Sequence, residues 1–233
     1  MNIFLINLKV KIKNPLILLG LFYSLFGYTQ HSNSEQIYTN GKGLTSIDLR
    51  SKELVGTSYF EETFLPAKLS NNEVIQLVRY NAYLDEMEVE IRGKAYYLPK
   101  SINYSISFEG SNQVYQLFNF DENGSSKSGF FLVLNEGDKA SLIVKEKIKL
   151  YDEVPAKLGF TKYEPPTLKR AKDEFFIHFA NNKVIKLPKK KKDFLTLFSK
   201  KSKELDLFAK KNKIGFKKTE DLIKIISYYN AMN

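Results

Sequence analysis

Residues 86–98 read EMEVEIRGKAYYL, and this short stretch decides the fold class. Its apolar residues, Met87, Val89 and Ile91, alternate with glutamates, and a period of two is typical of a β-strand with one buried face. The Arg-Gly dipeptide that follows supplies a turn, after which the chain returns as a second strand. We therefore predict a β-hairpin that packs its apolar face on a core. The carboxylates predicted to face solvent are those of Glu86, Glu88 and Glu90.

The same alternation continues on both sides of this hairpin. Runs rich in β-branched and aromatic residues are separated by short gaps that contain Gly, Asn or Pro. Such short runs favour an antiparallel meander, folded as a sandwich or an open half-barrel, over a parallel α/β sheet. The other predicted strands cover residues 57–69, 74–83, 104–108, 114–120, 129–134, 139–150, 173–180 and 183–187.

After Pro188 the hydrophobic period changes to that of a helix. Phe194, Phe198 and Leu205 fall on one helical stripe, which predicts helices that pack on the sheet, because short isolated helices are marginal in water. Thr219 is a favourable N-cap for a further helix. The fold is therefore predicted to be mainly β with a C-terminal α-helical tail packed on it, and α+β overall.

The N-terminus has the pattern of an export signal. Three lysines precede an uncharged apolar run, residues 15–28, which is too short to span a bilayer but matches the apolar part of a signal peptide. Small residues then predict cleavage near Thr29, and the alternative is an uncleaved membrane anchor. We expect an exported protein, periplasmic or extracellular after cleavage, with no transmembrane span in the mature chain.

These patterns divide the chain into four segments. Residues 1–29 are the predicted signal peptide, and residues 30–56 are predicted to be a flexible start of the mature chain. Residues 57–187 form the predicted antiparallel β body, in which residues 151–172, with three prolines, are the candidate linker. Residues 188–233 form a basic helical tail.

Composition excludes several chemistries. The 233 residues include no Cys and two His, so disulfides, thiolate metal sites and Cys nucleophiles are excluded. The glutamates of residues 86–90 lack the spacing of a calcium loop, and the sequence contains no glycine-rich phosphate loop and no hydrolase motif. No catalytic, cofactor-binding or metal-ligating residue is therefore predicted, and His178, within FFIHF, is predicted to be structural.

The net charge of +10 is unevenly distributed along the chain. Residues 183–233 contain 15 Lys and 5 acidic residues, whereas residues 1–182 contain 21 basic and 21 acidic residues. Such asymmetry often marks an interacting tail, and the alternative is a solvated helix face that keeps the protein soluble. The candidate binding residues are Lys189, Lys190, Lys191, Lys192, Lys200, Lys203, Lys210 and Lys211.

The predicted compartment decides which partners suit this basic tail. We expect no nucleic acid partner outside the cell, so the candidates are an anionic lipid, an anionic polysaccharide or a protein of the envelope. We therefore favour a non-catalytic, β-rich envelope module that binds a protein or an anionic surface. The alternative is a small hydrolase that acts on envelope carbohydrate through paired carboxylates.

Three stretches of the chain are distinctive. They are GYTQ at residues 27–30, VRYNAYLDEMEVE at residues 78–90 and KKDFLTLFSKKSKELDLFAKKNKIGFKKTEDLIKIISYYN at residues 191–230. In these stretches the chain resembles a group of exported Bacteroidota proteins of unassigned function. The resemblance implies export and a β body followed by a Lys-rich helical tail. It implies no activity, because none of the three stretches is a catalytic motif.

Overall fold

The structure is a computed structural model that describes residues 54–70, 72, 74–100, 104–157, 159 and 162–232. The predicted signal peptide with its cleavage site, and residues 30–53 of the predicted flexible segment, lie outside the described residues. Among the helices that the structure describes, none is both long enough and apolar enough to cross a membrane.

Twelve strands lie in the described part of the chain. They are β1 (Leu65–Leu69), β2 (Ile75–Asn81), β3 (Glu86–Ile91), β4 (Lys94–Tyr97), β5 (Ser105–Phe108), β6 (Val114–Glu122), β7 (Ser125–Asn135), β8 (Ala140–Lys145), β9 (Ile148–Tyr151), β10 (Thr167–Arg170), β11 (Glu174–Phe179) and β12 (Val184–Lys186). Ten form one sheet in the order β12-β11-β8-β7-β6-β5-β1-β2-β3-β4, and β9 pairs with β10 in a separate ribbon. All the pairings within these sheets are antiparallel, which confirms the predicted meander.

Tight turns join the hairpins where the sequence offers residues that tolerate positive φ. Arg92 and Gly93 have φ values of 53° and 74° between β3 and β4. Two consecutive positive φ values are typical of a type I′ turn, whose twist matches that of the strands it joins. Asn182 has a φ of 61° between β11 and β12, where an asparagine side chain adopts the left-handed region at little cost. Both predicted hairpins are confirmed.

The large sheet curls into an open half-barrel, one of the two arrangements that the sequence predicted. β12 approaches β6 on one side of the sheet, and β3 approaches β7 on the other. Phe130 and Phe131 are neighbours on β7 and point to opposite faces, and both are fully buried. Phe130 joins the core of β1, β2, β3 and β5, whereas Phe131 joins an aromatic cluster with Phe118, Phe120 and Phe176. Both faces of this central strand are therefore covered.

The helical tail packs on the sheet, as predicted. Phe194, Leu205 and Ile225 are buried from the helical side, and they share one cluster with Leu142 of β8 and Ile177 of β11. The helical elements are α1 (Lys191–Thr196), a 3₁₀ turn (Ser199–Lys201), α2 (Ser202–Lys211) and α3 (Thr219–Ala231).

One asparagine ties the end of α3 to the sheet. Asn230 Oδ1 accepts hydrogen bonds from the backbone N–H groups of Lys139 (3.1 Å) and Ala140 (2.9 Å), and Asn230 Nδ2 donates to the Ala140 carbonyl (2.8 Å). Gly137 leaves room for this side chain, since a Cβ there would collide with Asn230. The last helix is therefore held at the turn between β7 and β8 by polar contacts as well as by apolar packing.

Four predictions about the bounds of elements are wrong. The strand predicted at residues 57–69 begins only at Leu65, the first residue of β1. Residues 139–150 are not one strand, because β8 ends at Lys145 and β9 leaves the large sheet to pair with β10. β10 itself lies inside residues 151–172, the predicted linker. Thr219 is the first helical residue of α3, and the N-cap is Lys218, which makes no side-chain capping bond.

The predicted alternation on β3 holds for only part of the strand. Met87 and Val89 are buried as predicted, but Glu88 is only 3% exposed and Ile91 is 51% exposed. Glu88 is buried because Arg79 of β2 lies directly opposite and pairs with it. Ile91 is exposed because it ends the strand at the tip of the hairpin with β4, an edge strand whose four residues are all exposed.

Candidate functional site

All eight predicted binding lysines occupy exposed positions on the helical tail. The run at residues 189–192 spans the start of α1, Lys200 lies in the 3₁₀ turn, and Lys203, Lys210 and Lys211 lie on α2. These lysines face solvent because the apolar residues of the same helices occupy the positions that pack on the sheet.

Asp206 brings lysines from two helical elements together. Its Oδ1 lies 2.5 Å from Lys191 Nζ of α1, and its Oδ2 lies 2.8 Å from Lys210 Nζ of α2. The hydrogen bonds from Lys191 and Lys210 hold the pKa of Asp206 below its ordinary value. One carboxylate thus serves two lysines, so a surplus of positive charge remains on this side of the tail.

Leu207 of α2 is 66% exposed. Lys203 precedes it by four residues and Glu204 by three, and Lys210 and Lys211 follow by three and four. Residues at these spacings are neighbours on a helix surface, and Glu204 also lies 3.5 Å from Lys201. A large apolar side chain is therefore exposed among three lysines and one glutamate. We call the set Lys191, Lys203, Leu207, Lys210 and Lys211 the tail surface.

The structure therefore brings together only part of the predicted binding set. Lys189, Lys190, Lys192 and Lys200 are exposed, but no side-chain contact among the described residues ties them to Asp206. The sequence analysis did not predict Leu207, because this residue lies outside the apolar stripe that predicts the buried face of α2. The available signal was its spacing of four residues from both Lys203 and Lys211.

β2 and β3 bury an ion pair that the sequence did not indicate. Arg79 Nε donates a hydrogen bond to Glu88 Oε2 at 2.7 Å. The Tyr59 hydroxyl donates to Glu88 Oε1 at 3.0 Å, and Asn81 Nδ2 donates to the same oxygen at 3.2 Å. Burial and the charge of Glu88 raise the pKa of Tyr59 to about 12, so this hydroxyl remains a donor at neutral pH. Both oxygens of Glu88 are occupied, which suits a structural carboxylate.

Lys145, at the end of β8, is the most deeply buried cation among the described residues, with 3% exposure. Its Nζ lies 2.5 Å from Asp85 Oδ2 and donates to the Phe130 carbonyl at 2.9 Å. The Tyr80 hydroxyl donates to the other Asp85 oxygen at 2.8 Å. Burial lowers the pKa of Lys145 to about 8, although the charge of Asp85 acts in the opposite direction. Gly129 leaves room for the ammonium group, since a Cβ there would collide with it.

Other carboxylates of the sheet are also matched by cations. Glu146 accepts hydrogen bonds from the Tyr115 hydroxyl at 2.5 Å and from Arg170 at 2.8 Å. Burial and the charge of Glu146 raise the pKa of Tyr115. Lys147 Nζ lies 2.9 Å from Glu174 Oε2. The carboxylates of Glu146 and Glu174 are partly or fully buried, whereas the lysines of the tail surface are exposed.

Clefts open on the β body, and two of them have charged side chains in their lining. The larger has a volume of about 390 Å³, and its charged lining residues are Asp85, Lys145, Lys147 and Lys149. The smaller has a volume of about 170 Å³, and its titratable lining residues are Glu136, Asp138 and His178. The ring of His178 lies 4.6 Å from that of Phe118, which is a packing contact. No group of three or more side chains suited to hold a metal ion occurs among the residues that the structure describes.

Comparisons with known proteins give no match: no protein-family model, no curated protein and no solved structure matches this chain. On the tail surface, Lys203 and Lys211 have no ion pair among the described residues, and they lie beside the exposed Leu207.

Proposed function

We propose that the protein is a non-catalytic, β-rich module of the cell envelope that binds an anionic surface through its tail surface. The observation that carries this proposal is Leu207, which is 66% exposed and flanked by lysines. Cations on a helix face attract anionic headgroups, and an apolar side chain among them can enter the layer beneath. The export signal predicted from the N-terminus, and the resemblance to exported Bacteroidota proteins, support a compartment in which such surfaces occur.

The expected strength of binding is that of a reversible attachment. Each lysine near an anionic membrane surface contributes about 1 kcal/mol. Burial of one leucine side chain adds roughly 1.5–3 kcal/mol. Four lysines and one leucine therefore favour binding that salt can reverse, without the permanence of a membrane-spanning helix.

The hydrolase alternative depends on the smaller cleft. Glu136 and Asp138 both line it and both are exposed. Carboxylate-based hydrolysis needs one of two such groups to remain protonated as an acid and the other to remain ionised. The test is the release of reducing ends from envelope polysaccharide by the wild-type protein and its loss in Glu136→Gln. Release that depends on Glu136 would favour this alternative, and no release would remove its support.

The proposed function is tested by co-sedimentation with phosphatidylglycerol vesicles. Binding should be strong at low salt and weaken as salt rises, because the Debye length falls from about 30 Å at 0.01 M to about 8 Å at 0.15 M. Leu207→Gln should weaken vesicle binding about tenfold, since the loss of one buried leucine removes roughly 1.5 kcal/mol. Ile75→Gln is the matched control, because Ile75 is an exposed apolar residue on the sheet, 56% accessible.

A soluble polyanion separates the two classes of anionic surface. If the partner is a lipid, Leu207→Gln should weaken binding to vesicles and leave binding to a soluble sulfated polysaccharide unchanged. If the wild-type protein and Leu207→Gln bind vesicles equally well, Leu207 has no role in binding, and a polysaccharide is favoured as the partner. Vesicle binding that ignores both salt and Leu207→Gln would place the recognition surface elsewhere on the protein.

A further inference from the structure

The larger cleft lies on the β body and shares no residue with the tail surface. It is lined by residues of two segments: the turn between β2 and β3, and the chain that passes from β8 into β9. A hydrogen bond from the Ile148 N–H to the Ala82 carbonyl, 3.1 Å long, joins these two segments. The cleft therefore has a fixed wall and a volume of about 390 Å³.

The cations deepest in this cleft already have acidic partners. Lys145 Nζ lies 2.5 Å from Asp85, and Lys147 Nζ lies 2.9 Å from Glu174 and 3.5 Å from Glu122. Burial alone would raise the pKa of Glu174, but hydrogen bonds from Lys186 and Lys147 together lower it. These acids are fully engaged, so they are not available to neutralise a further lysine nearby.

The positive charges of Lys149 and Lys169, beside this cleft, are not balanced by acidic side chains in the described part of the chain. They are directly opposite each other in the register of β9 and β10, and both are exposed. Like charges at directly opposite positions destabilise a pair of strands. Neither lysine has an ion pair within the described residues. Lys169 Nζ lies 6.0 Å from the ring centre of Tyr151, which is itself half exposed.

We propose that the larger cleft and the adjoining Lys149–Lys169 pair bind the phosphate group of a ligand. An anion beside two opposed ammonium groups would remove the repulsion between them. The cations that line the cleft are lysines, and lysine binds phosphate as a compact point charge. The volume exceeds that of a phosphate group, and Ile148 and Leu150 line the remaining space. This site goes beyond the proposed function, because it shares no residue with the tail surface.

The test is calorimetric titration of the purified protein with inorganic pyrophosphate at 0.15 M salt. We expect saturable binding to one site and at least a tenfold loss of affinity in Lys149→Gln/Lys169→Gln. Two variants serve as controls. Lys94→Gln/Lys172→Gln removes the same charge from other exposed positions of the β body, and a tail variant carries Lys192→Gln, Lys200→Gln, Lys203→Gln and Lys211→Gln. Both controls should bind as the wild-type protein does.

Amide NMR shifts locate the site without any substitution. On titration of the wild-type protein with pyrophosphate, the largest shifts should fall on Tyr83, Lys147 and Lys149. The absence of saturable binding, equal losses in all three variants, or shifts confined to residues 188–232 would overturn the proposal.

A competition assay distinguishes a lipid headgroup from a soluble phosphate ester. If the phosphate belongs to a lipid, the tail variant should keep a weak residual binding to anionic vesicles, and pyrophosphate should abolish it. If the ligand is soluble, the tail variant should lose vesicle binding and keep its affinity for pyrophosphate. Both outcomes support the site and differ only in the source of the phosphate.

Discussion

Cations of the sheet and cations of the tail have opposite surroundings in this protein. Arg79 and Lys145 each contact a carboxylate supplied by another part of the β body, at 2.7 and 2.5 Å. On the tail, Asp206 serves both Lys191 and Lys210, and the neighbouring lysines of α2 lie beside an exposed leucine. Burial therefore distinguishes a cation that supports folding from one that remains available for binding, because the side chain of Lys145 is 3% exposed and that of Lys210 is 65% exposed.

This difference predicts how strongly each group affects stability. Removal of one member of a buried ion pair leaves a charge without a partner in a poorly solvated place, and the cost is large. Removal of an exposed lysine changes little, because water and salt already screen its charge. The free energy of unfolding should therefore respond less as the substituted group becomes more exposed.

The largest effect is expected at Glu88. Glu88→Ala should lower the free energy of unfolding by about 3 kcal/mol, because Arg79 would stay largely buried without its carboxylate. Glu90→Ala, two residues along the same strand, is the matched control and should cost less than about 0.5 kcal/mol. Urea denaturation measures both. Similar costs for the two variants would show that the Arg79–Glu88 pair does not support the fold.

The next effect is a pH dependence caused by Lys145. Its pKa of about 8 in the folded protein lies below the ordinary 10.5, so the unfolded chain binds more protons between these values. The free energy of unfolding should therefore rise with pH in this window, by about 2 kcal/mol between pH 7 and pH 9.5. Lys145→Met should lack this rise relative to the wild-type protein.

Denaturation of both proteins across this pH range gives the comparison. Tyr80 keeps its proton in the folded protein across this range, because burial and Asp85 raise its pKa. Parallel curves for the wild-type protein and Lys145→Met would contradict the assignment of this pH dependence to Lys145.

A smaller effect is expected at Arg170, whose side chain is 53% exposed although its partner Glu146 is buried. Arg170→Ala should cost about 1 kcal/mol, since solvent screens the guanidinium while Tyr115 continues to hold the carboxylate. Lys172→Ala, an exposed neighbour, is the control and should be close to neutral. Thermal melts suffice for this comparison. If Arg170→Ala costs as much as Glu88→Ala, the loss of unfolding free energy does not depend on how exposed the substituted side chain is.

The smallest effect on stability is expected for the tail variant with four Lys→Gln substitutions. Its free energy of unfolding should stay within about 0.5 kcal/mol of the wild-type value, because all four side chains are exposed. A loss of several kcal/mol in urea denaturation would show that these lysines hold the tail on the sheet.

The sequence predicts those features that depend on residues close together in the chain. The β3–β4 hairpin follows from a period of two and an Arg-Gly turn, and the helical tail follows from apolar spacing after Pro188. The burial of Glu88 could not be read from its own strand, because it depends on the register that places Arg79 opposite. The departure of β9 from the sheet depends on its pairing with β10, a contact between distant parts of the chain.

The tail surface and the larger cleft also differ in how far the sequence predicts them. The exposed lysines of the tail could be predicted, since a dense run of one charge in a helical segment must largely face solvent. The cleft could not, because Lys145, Lys147 and Lys149 look like the polar face of one strand. Their environments differ only because the chain leaves the sheet after Lys145, so that one lysine is buried and another is exposed.

A comparison of two variants with the same net charge tests the central claim most directly. The tail variant is compared with a body variant in which four exposed lysines are changed to Gln: Lys94, Lys162, Lys172 and Lys183. At low salt, the tail variant should bind anionic vesicles about thirtyfold more weakly than the wild-type protein, since two of its four substitutions remove lysines of the tail surface, Lys203 and Lys211, and each contributes about 1 kcal/mol. The body variant should stay within about twofold of the wild-type affinity. Equal losses in the two variants would mean that net charge alone drives binding, and would contradict the assignment of recognition to the tail.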